Sequence, residues 1–389
     1  MTIQPPPCGE VDTHAFSQLF NSTTNSYKLA FFQALLNILT DRERSGARDC
    51  TIELRELATE MLALAWYPHN FFRLSFGLQD QTGNVLDRLD FNLDERALTN
   101  PNTHARLRQA IADQYNVIQA DGLLRFVPYR LLSPFFASEL KGLRDSQKDG
   151  RIRELANARF SSHSPPIYRF TEGGNAIEVH PAWRDYLVQG MAIIDGWVKH
   201  NWIGYLQDRN PNTPAIIKKI MPPLQRSPLT RQTRFWQMVM AQSTQRCIYT
   251  AGPIEPSDFA LDHFIPWSFV CHDQLWNLIP VSSTVNSSKG SRLPLETHVD
   301  RFIEAQYHAL RIGHSHLTDA AWNKATEPYV SDLQLSRQAL LDGPRLDSAY
   351  RNTLSPLISL ARQMGFSDFH GKSEVMRVPS LITPDVDGG

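Results

Sequence analysis

Residues 247–294 read CIYTAGPIEPSDFALDHFIPWSFVCHDQLWNLIPVSSTVNSSKGSRLP, and the order of apolar runs in them decides the fold of the C-terminal half. Ala260-Leu-Asp-His263 ends a short β-prone run, and Trp276-Asn-Leu-Ile-Pro280 is a second. Ser282 to about Ser291 reads as a helix with Ser282 or Ser283 as its cap. The stretch therefore predicts two strands with a loop between them, followed by one helix. Asp262 and His263 fall at the end of the first strand, and Asn277 opens the second. Asn286 and Lys289 share a helix face at i, i+3.

The pattern Asp262-His263-Phe-Ile-Pro266, then Asn277, Asn286 and Lys289, resembles the D-H-x-x-P…N…N-x-x-K series of the HNH endonuclease family. It is especially similar to the HNH domain of RNA-guided CRISPR nucleases, down to Ser268-Phe269 in the first loop. The resemblance covers roughly 50 of 389 residues. It implies a ββα-metal module, a DNA substrate, and products with 5′-phosphate and 3′-hydroxyl ends. It also implies that Asn277 positions the histidine and its loop.

The residue types suit that chemistry. Phosphodiester hydrolysis needs an activated water, shielding of a pentavalent phosphate and help for the leaving oxygen. An imidazole with an ordinary pKa of about 6.5 is suited to take a proton from water, which makes His263 the candidate base. Asp262 and Asn286 offer hard oxygens that suit one Mg²⁺ or Mn²⁺. Lys289 and Arg292 are placed to contact phosphate. Many family members carry a structural zinc held by two C-x-x-C pairs. Here Cys247-Ile-Tyr-Thr250 keeps only the first cysteine, so no structural zinc is expected. Tyr249, Phe259, Phe264, Trp267, Phe269 and Trp276 are expected to form a replacement core. His272 and Asp273 match no position of the pattern and read as solvent-exposed loop.

Charge segregates upstream. Arg209–Ile254 contains no Asp or Glu and carries seven basic residues, while the whole chain has a net charge of −1. Lys218, Lys219, Arg226, Arg231 and Arg234 of this stretch are expected to line the approach of a DNA backbone. Overall the chain excludes a uniformly basic coat, and its 42% hydrophobic and 20% charged residues exclude disorder. Four single cysteines exclude a disulfide scaffold. No basic-then-apolar leader and no clean apolar run of membrane-spanning length is visible, so the expectation is a cytoplasmic protein without membrane insertion. His298, His308, His314 and His316 lack companion ligands for a second metal site. P-loop, G-x-S-x-G and G-x-G-x-x-G motifs are absent.

Helical periodicity runs through Asn25–Thr40, Thr51–Ala65, Thr103–Ile118 and about 134–160. Tyr168–Phe170 and Ala176–Val179 flank Thr-Glu-Gly-Gly-Asn as a hairpin. Pro181 opens an aromatic-rich helix to about Tyr205, whose Trp183, Tyr186, Trp197 and Trp202 read as core. Leu295–Gly313, Asp319–Asp332, Leu333–Leu341 and Tyr350–Met364 are expected as helices around the module, and the tail from Pro379 as loose. The fold class expected is mainly α with a small ββα module, α+β overall. Divisions are expected at 1–165, 166–240, 241–312 and 313–389. Helical N-terminal regions on HNH chains resemble bacterial anti-phage effectors of the Zorya or Septu type, which implies partners from a defence system. The competing expectation is a catalytically inactive HNH fold that binds DNA or docks a partner.

Overall fold

The computed structural model describes residues 4–91, 101–120, 122–221 and 227–370. Arg226 and the tail from Pro379 lie outside the described residues. The chain divides into two compact units, 1–227 and 228–389. The breaks read from sequence after 165, 240 and 312 fall inside these units. Both are mainly helical with one small sheet each, an α+β chain.

In the first unit, α1 (Tyr27–Arg44) buries Phe31, Phe32, Leu35 and Leu36. Its last turn, Asp41-Arg-Glu-Arg44, is charged and faces water. The helix expected over Thr51–Ala65 starts three residues late. Thr51–Glu53 is instead a strand, β1, followed by α2 (Leu54–Trp66). The hairpin forms as read, with β2 (Tyr168–Phe170) and β3 (Ala176–Val179) antiparallel. β1 adds to its open edge, pairing Ile52 with Ile177. β-Branched Thr51 and Ile52 lose little by leaving the helix, and the pairing satisfies backbone groups on β3.

The aromatic helix after Pro181 is two helices, Pro181–Gln189 and α3 (Met191–Arg209). They meet at Gly190, where a Cβ would stand 3.1 Å from the Tyr186 carbonyl oxygen. Trp183, Trp197 and Trp202 are buried, and the rings of Trp183 and Trp197 pack on Phe16. They are core, as their spacing implies.

The second unit begins with α4 (Thr230–Gln242). β4 (Phe259–His263) and β5 (Leu278–Ser282) form an antiparallel pair, with Asp262 opposite Ile279 and His263 opposite Leu278. Pro280 sits opposite Leu261 and is tolerated because a two-stranded sheet has free edges. α5 (Ser283–Lys289) follows directly, its first turn capped by the Ser282 hydroxyl accepting from Val285 N at 3.3 Å. Gly290, with φ +53°, ends it in a conformation that disfavours side chains.

Behind this ββα unit lie α6 (Glu296–His316), α7 (Asp319–Asp332) and α8 (Gly343–Gln363). Phe264 stacks on Phe302 of α6 at 3.9 Å, and Phe302 meets Tyr350 of α8 edge-on at 5.6 Å. Burying Phe264 and Phe302 contributes roughly 1.5–3 kcal/mol each. Of the helix expected at Leu333–Leu341 only a 3₁₀ turn, Gln338–Leu341, forms. Among the described residues no helix is long and apolar enough to cross a membrane.

Candidate active site

β4 delivers its last three residues, Leu261-Asp262-His263, into the interior. Asp262 is 2% exposed, which is costly for a carboxylate unless it is fully bonded. Tyr249 donates its hydroxyl to Oδ2 at 2.7 Å. Lys289 Nζ donates to Oδ1 at 3.0 Å and to the His263 carbonyl oxygen at 2.7 Å. Burial pushes the Lys289 pKa down, while the Asp262 charge pulls the other way. Burial, and then the Asp262 charge, raise Tyr249 well above the ordinary phenol range, so it stays a donor.

This corrects the sequence reading of Lys289 as a phosphate contact. At 1% exposure its ammonium cannot meet a solvent-side backbone in this arrangement. The helix face at i, i+3 is real, but that face turns onto β4, so the cation lands on Asp262. Arg292, the other expected phosphate contact, is half-buried. It closes the end of α5 by donating to the Ser288 and Lys289 carbonyls, and it lies over the Phe369 ring at 4.9 Å.

His263 is 9% exposed, and its Nε2 lies 2.8 Å from Asp273 Oδ1. A carboxylate accepts, so this contact favours the tautomer protonated on Nε2 and leaves Nδ1 as the basic ring nitrogen. Asp273, read from sequence as solvent-exposed loop, is half-buried and is the candidate site residue that sequence reading missed. Ten residues separate it from His263 across a loop without regular pattern. The available signal was a carboxylate inside the loop that joins the two strands.

Asn277 is fully buried in a 3₁₀ turn, Leu275–Asn277, just before β5. Its Oδ1 accepts from Ile265 N at 2.9 Å, and its Nδ2 donates to Ile265 O at 2.9 Å. Its own carbonyl accepts from Phe264 N at 2.8 Å. One amide thus pins the turn that leaves His263. The same strand is braced from behind. Gln306 donates to Leu278 O at 2.8 Å, and Tyr329 donates to Gln306 at 2.7 Å. Trp276 Nε1 donates to Asp332 at 2.6 Å. Asn277→Leu would strand two buried backbone groups of Ile265. It should lower unfolding free energy by about 2–5 kcal/mol, measured by urea titration of the purified chain.

Asn286 is half-buried on α5, one turn before Lys289, and its side chain makes no hydrogen bond to another described residue. Among the described residues no three His, Cys, Asp or Glu side chains cluster as a metal site. A cation at Asp262 would draw further oxygen donors from an amide such as Asn286 or from water. Each Asp262 oxygen accepts one hydrogen bond and has accepting capacity left, and the Asn286 amide is unengaged. This donor set fits one hard, oxygen-preferring cation that shares Asp262 with Lys289.

The segment around Cys247, where the sequence keeps one cysteine and no pair, is closed by backbone bonds. Ala251 N donates to Cys247 O and Cys247 N to Gly252 O, both at 2.8 Å. Cys247 and Cys271 are buried, and neither forms a disulfide.

The acid-free stretch spans both units. Lys218 and Lys219 lie on a short helix of the first, Ile216–Ile220, while Arg231 and Arg234 are exposed on α4 of the second. Lys219 is a second correction: it is fully buried with Nζ 5.6 Å from the Phe72 ring centre. Ile216 and Lys219 share the buried side of that helix, which removes Lys219 from any DNA path. Lys218 is exposed.

Residues 247–295 match the family model described as HNH endonuclease. No curated protein and no solved structure gives a significant match.

Proposed function

We propose that this chain is a metal-dependent endonuclease that hydrolyses DNA phosphodiester bonds at the Asp262–His263–Asn286 site. The observation that carries the reading is the His263–Asp273 pair, set beside the Asp262 carboxylate on the ββα unit that matches HNH endonucleases. Asp262 and Asn286 would hold one Mg²⁺ or Mn²⁺, which when bound supplies charge neutralisation at the scissile phosphate. His263 takes a proton from the attacking water. Asp273 holds the imidazole in one orientation and stabilises the imidazolium that forms. Asn277 keeps the turn after His263 from moving, and Tyr249 and Lys289 keep Asp262 aimed. Cleavage leaves a 5′-phosphate and a 3′-hydroxyl. One site cuts one strand, so a single chain nicks.

Asp262→Ala and Asn286→Ala should each abolish Mg²⁺-dependent cutting, Asn286→Ala with the wild-type stability and Asp262→Ala with a lowered Tm, because Lys289 is left buried without its partner. Elemental analysis of the wild-type chain should find no stoichiometric zinc. Full activity of Asp262→Ala in Mg²⁺ contradicts the assignment.

A second reading, a binding-only module, draws on the same ion pair, because both Asp262 oxygens are already engaged. It predicts DNA binding without metal-dependent cleavage. In biological role the proposal extends to a bacterial anti-phage effector, with other defence components as partners. That extension rests on the joining of a helical unit to a nuclease unit.

A further inference from the structure

We propose that a groove beside the candidate site seats one or two unpaired nucleotides flanking the scissile phosphate, so that the chain prefers DNA with a single-stranded flank to uninterrupted duplex. This rests on the nuclease reading above and specifies its substrate.

The groove has a volume of about 700 Å³ and runs between α4, the Gln274–Leu275 segment and α7. Exposed Arg231, Arg234 and Lys324 line it together with the apolar Phe235, Met238, Leu275 and Leu317, of which Phe235 and Leu275 are largely buried. The three cations are exposed, and none makes a hydrogen bond or ion pair to another described residue. One carboxylate, Glu327, offsets a single charge. The groove thus pairs a surplus of positive charge with an apolar surface.

Duplex DNA turns its phosphates outward and stacks its bases inside. It would use the cations and leave the apolar lining idle. An unpaired nucleotide presents both a phosphate and an exposed base face, and the volume falls in the range that encloses small ligands.

The location ties the groove to the chemistry. Gln232, on the groove side of α4, donates to the Asp273 backbone oxygen at 2.9 Å. Gln274, the next residue, lines the groove. Asp273 holds His263 with its side chain. The groove lining therefore includes the residue next in sequence to the partner of the candidate base and the α4 residue that bonds its backbone.

The test uses His263→Ala protein in EDTA, with fluorescence anisotropy on labelled blunt duplex and on the same duplex carrying a bubble of about four unpaired nucleotides. The bubble should bind at least about tenfold tighter, the order of stacking one or two bases. Adding Arg231→Gln, Arg234→Gln and Lys324→Gln together should abolish that preference. Equal affinity for the two DNAs, or a preference that survives the triple change, overturns the proposal. So does displacement of the bubble by a poly-glutamate peptide as effectively as by a single-stranded oligonucleotide. Plasmid nicking by the wild-type chain separates the two claims. Nicking without bubble preference removes the groove proposal alone. Bubble preference without nicking removes the nuclease reading and leaves the groove as a binding site.

Discussion

His263→Ala should lower the single-turnover rate of DNA cleavage by at least about 10²-fold, the usual worth of a positioned general base. The side chain is small and stands at a strand end, and its backbone pairing with Leu278 does not depend on the ring. Fold and DNA affinity should therefore persist, and the loss should appear in the rate of bound DNA. Asp273→Asn should fall less, by roughly tenfold. The amide keeps the shape but no longer dictates which ring nitrogen carries the proton. Asp273→Glu should recover part of that loss, because it restores a carboxylate. A purely structural Asp273 predicts the reverse order, with the isosteric amide the better tolerated.

Lys289→Met should cost about 3–5 kcal/mol of stability. The change leaves the Asp262 carboxylate, 2% exposed, without its counter-ion, and the His263 carbonyl without its donor. For a unit of this size that is a drop in Tm of about 6–20 °C. Asp262→Asn in the same chain should return much of it, because a neutral amide needs no cation. The double-mutant cycle then gives a coupling of about 1–3 kcal/mol between the two positions. Millimolar Mg²⁺ should raise the Tm of Lys289→Met more than that of the wild-type chain, since a divalent cation replaces the missing charge at Asp262. Additive Tm losses without coupling would contradict the ion pair. Differential scanning fluorimetry of the four proteins with and without Mg²⁺ measures all of this.

The parts legible in the sequence are those set by local pattern. The strand–strand–helix order appears from Phe259 to Lys289, and the hairpin at Tyr168–Val179 forms on the residues its Gly-Gly turn implies. What stayed hidden depends on contacts between distant residues. Thr51–Glu53 reads as a helix start until β3, more than a hundred residues on, offers it an edge. Tyr249 reads as one of several core aromatics until its hydroxyl is seen on Asp262. Lys289 and Lys219 read as surface cations because lysine is rarely buried. In each case the partner, Asp262 or the Phe72 ring, comes from a different element. Asp273 sits in a loop whose path no periodicity records, yet its carboxylate meets the His263 ring.

The most direct measurement incubates supercoiled plasmid with the purified chain and Mg²⁺ or Mn²⁺, beside His263→Ala, and then treats the product with DNA ligase. The wild-type chain should yield open circles that ligase seals without end repair, as 5′-phosphate and 3′-hydroxyl nicks require, and His263→Ala should leave the plasmid supercoiled. Plasmid that stays supercoiled with wild-type protein in both metals, or equal nicking by His263→Ala, would contradict the assignment of this site as a nuclease centre.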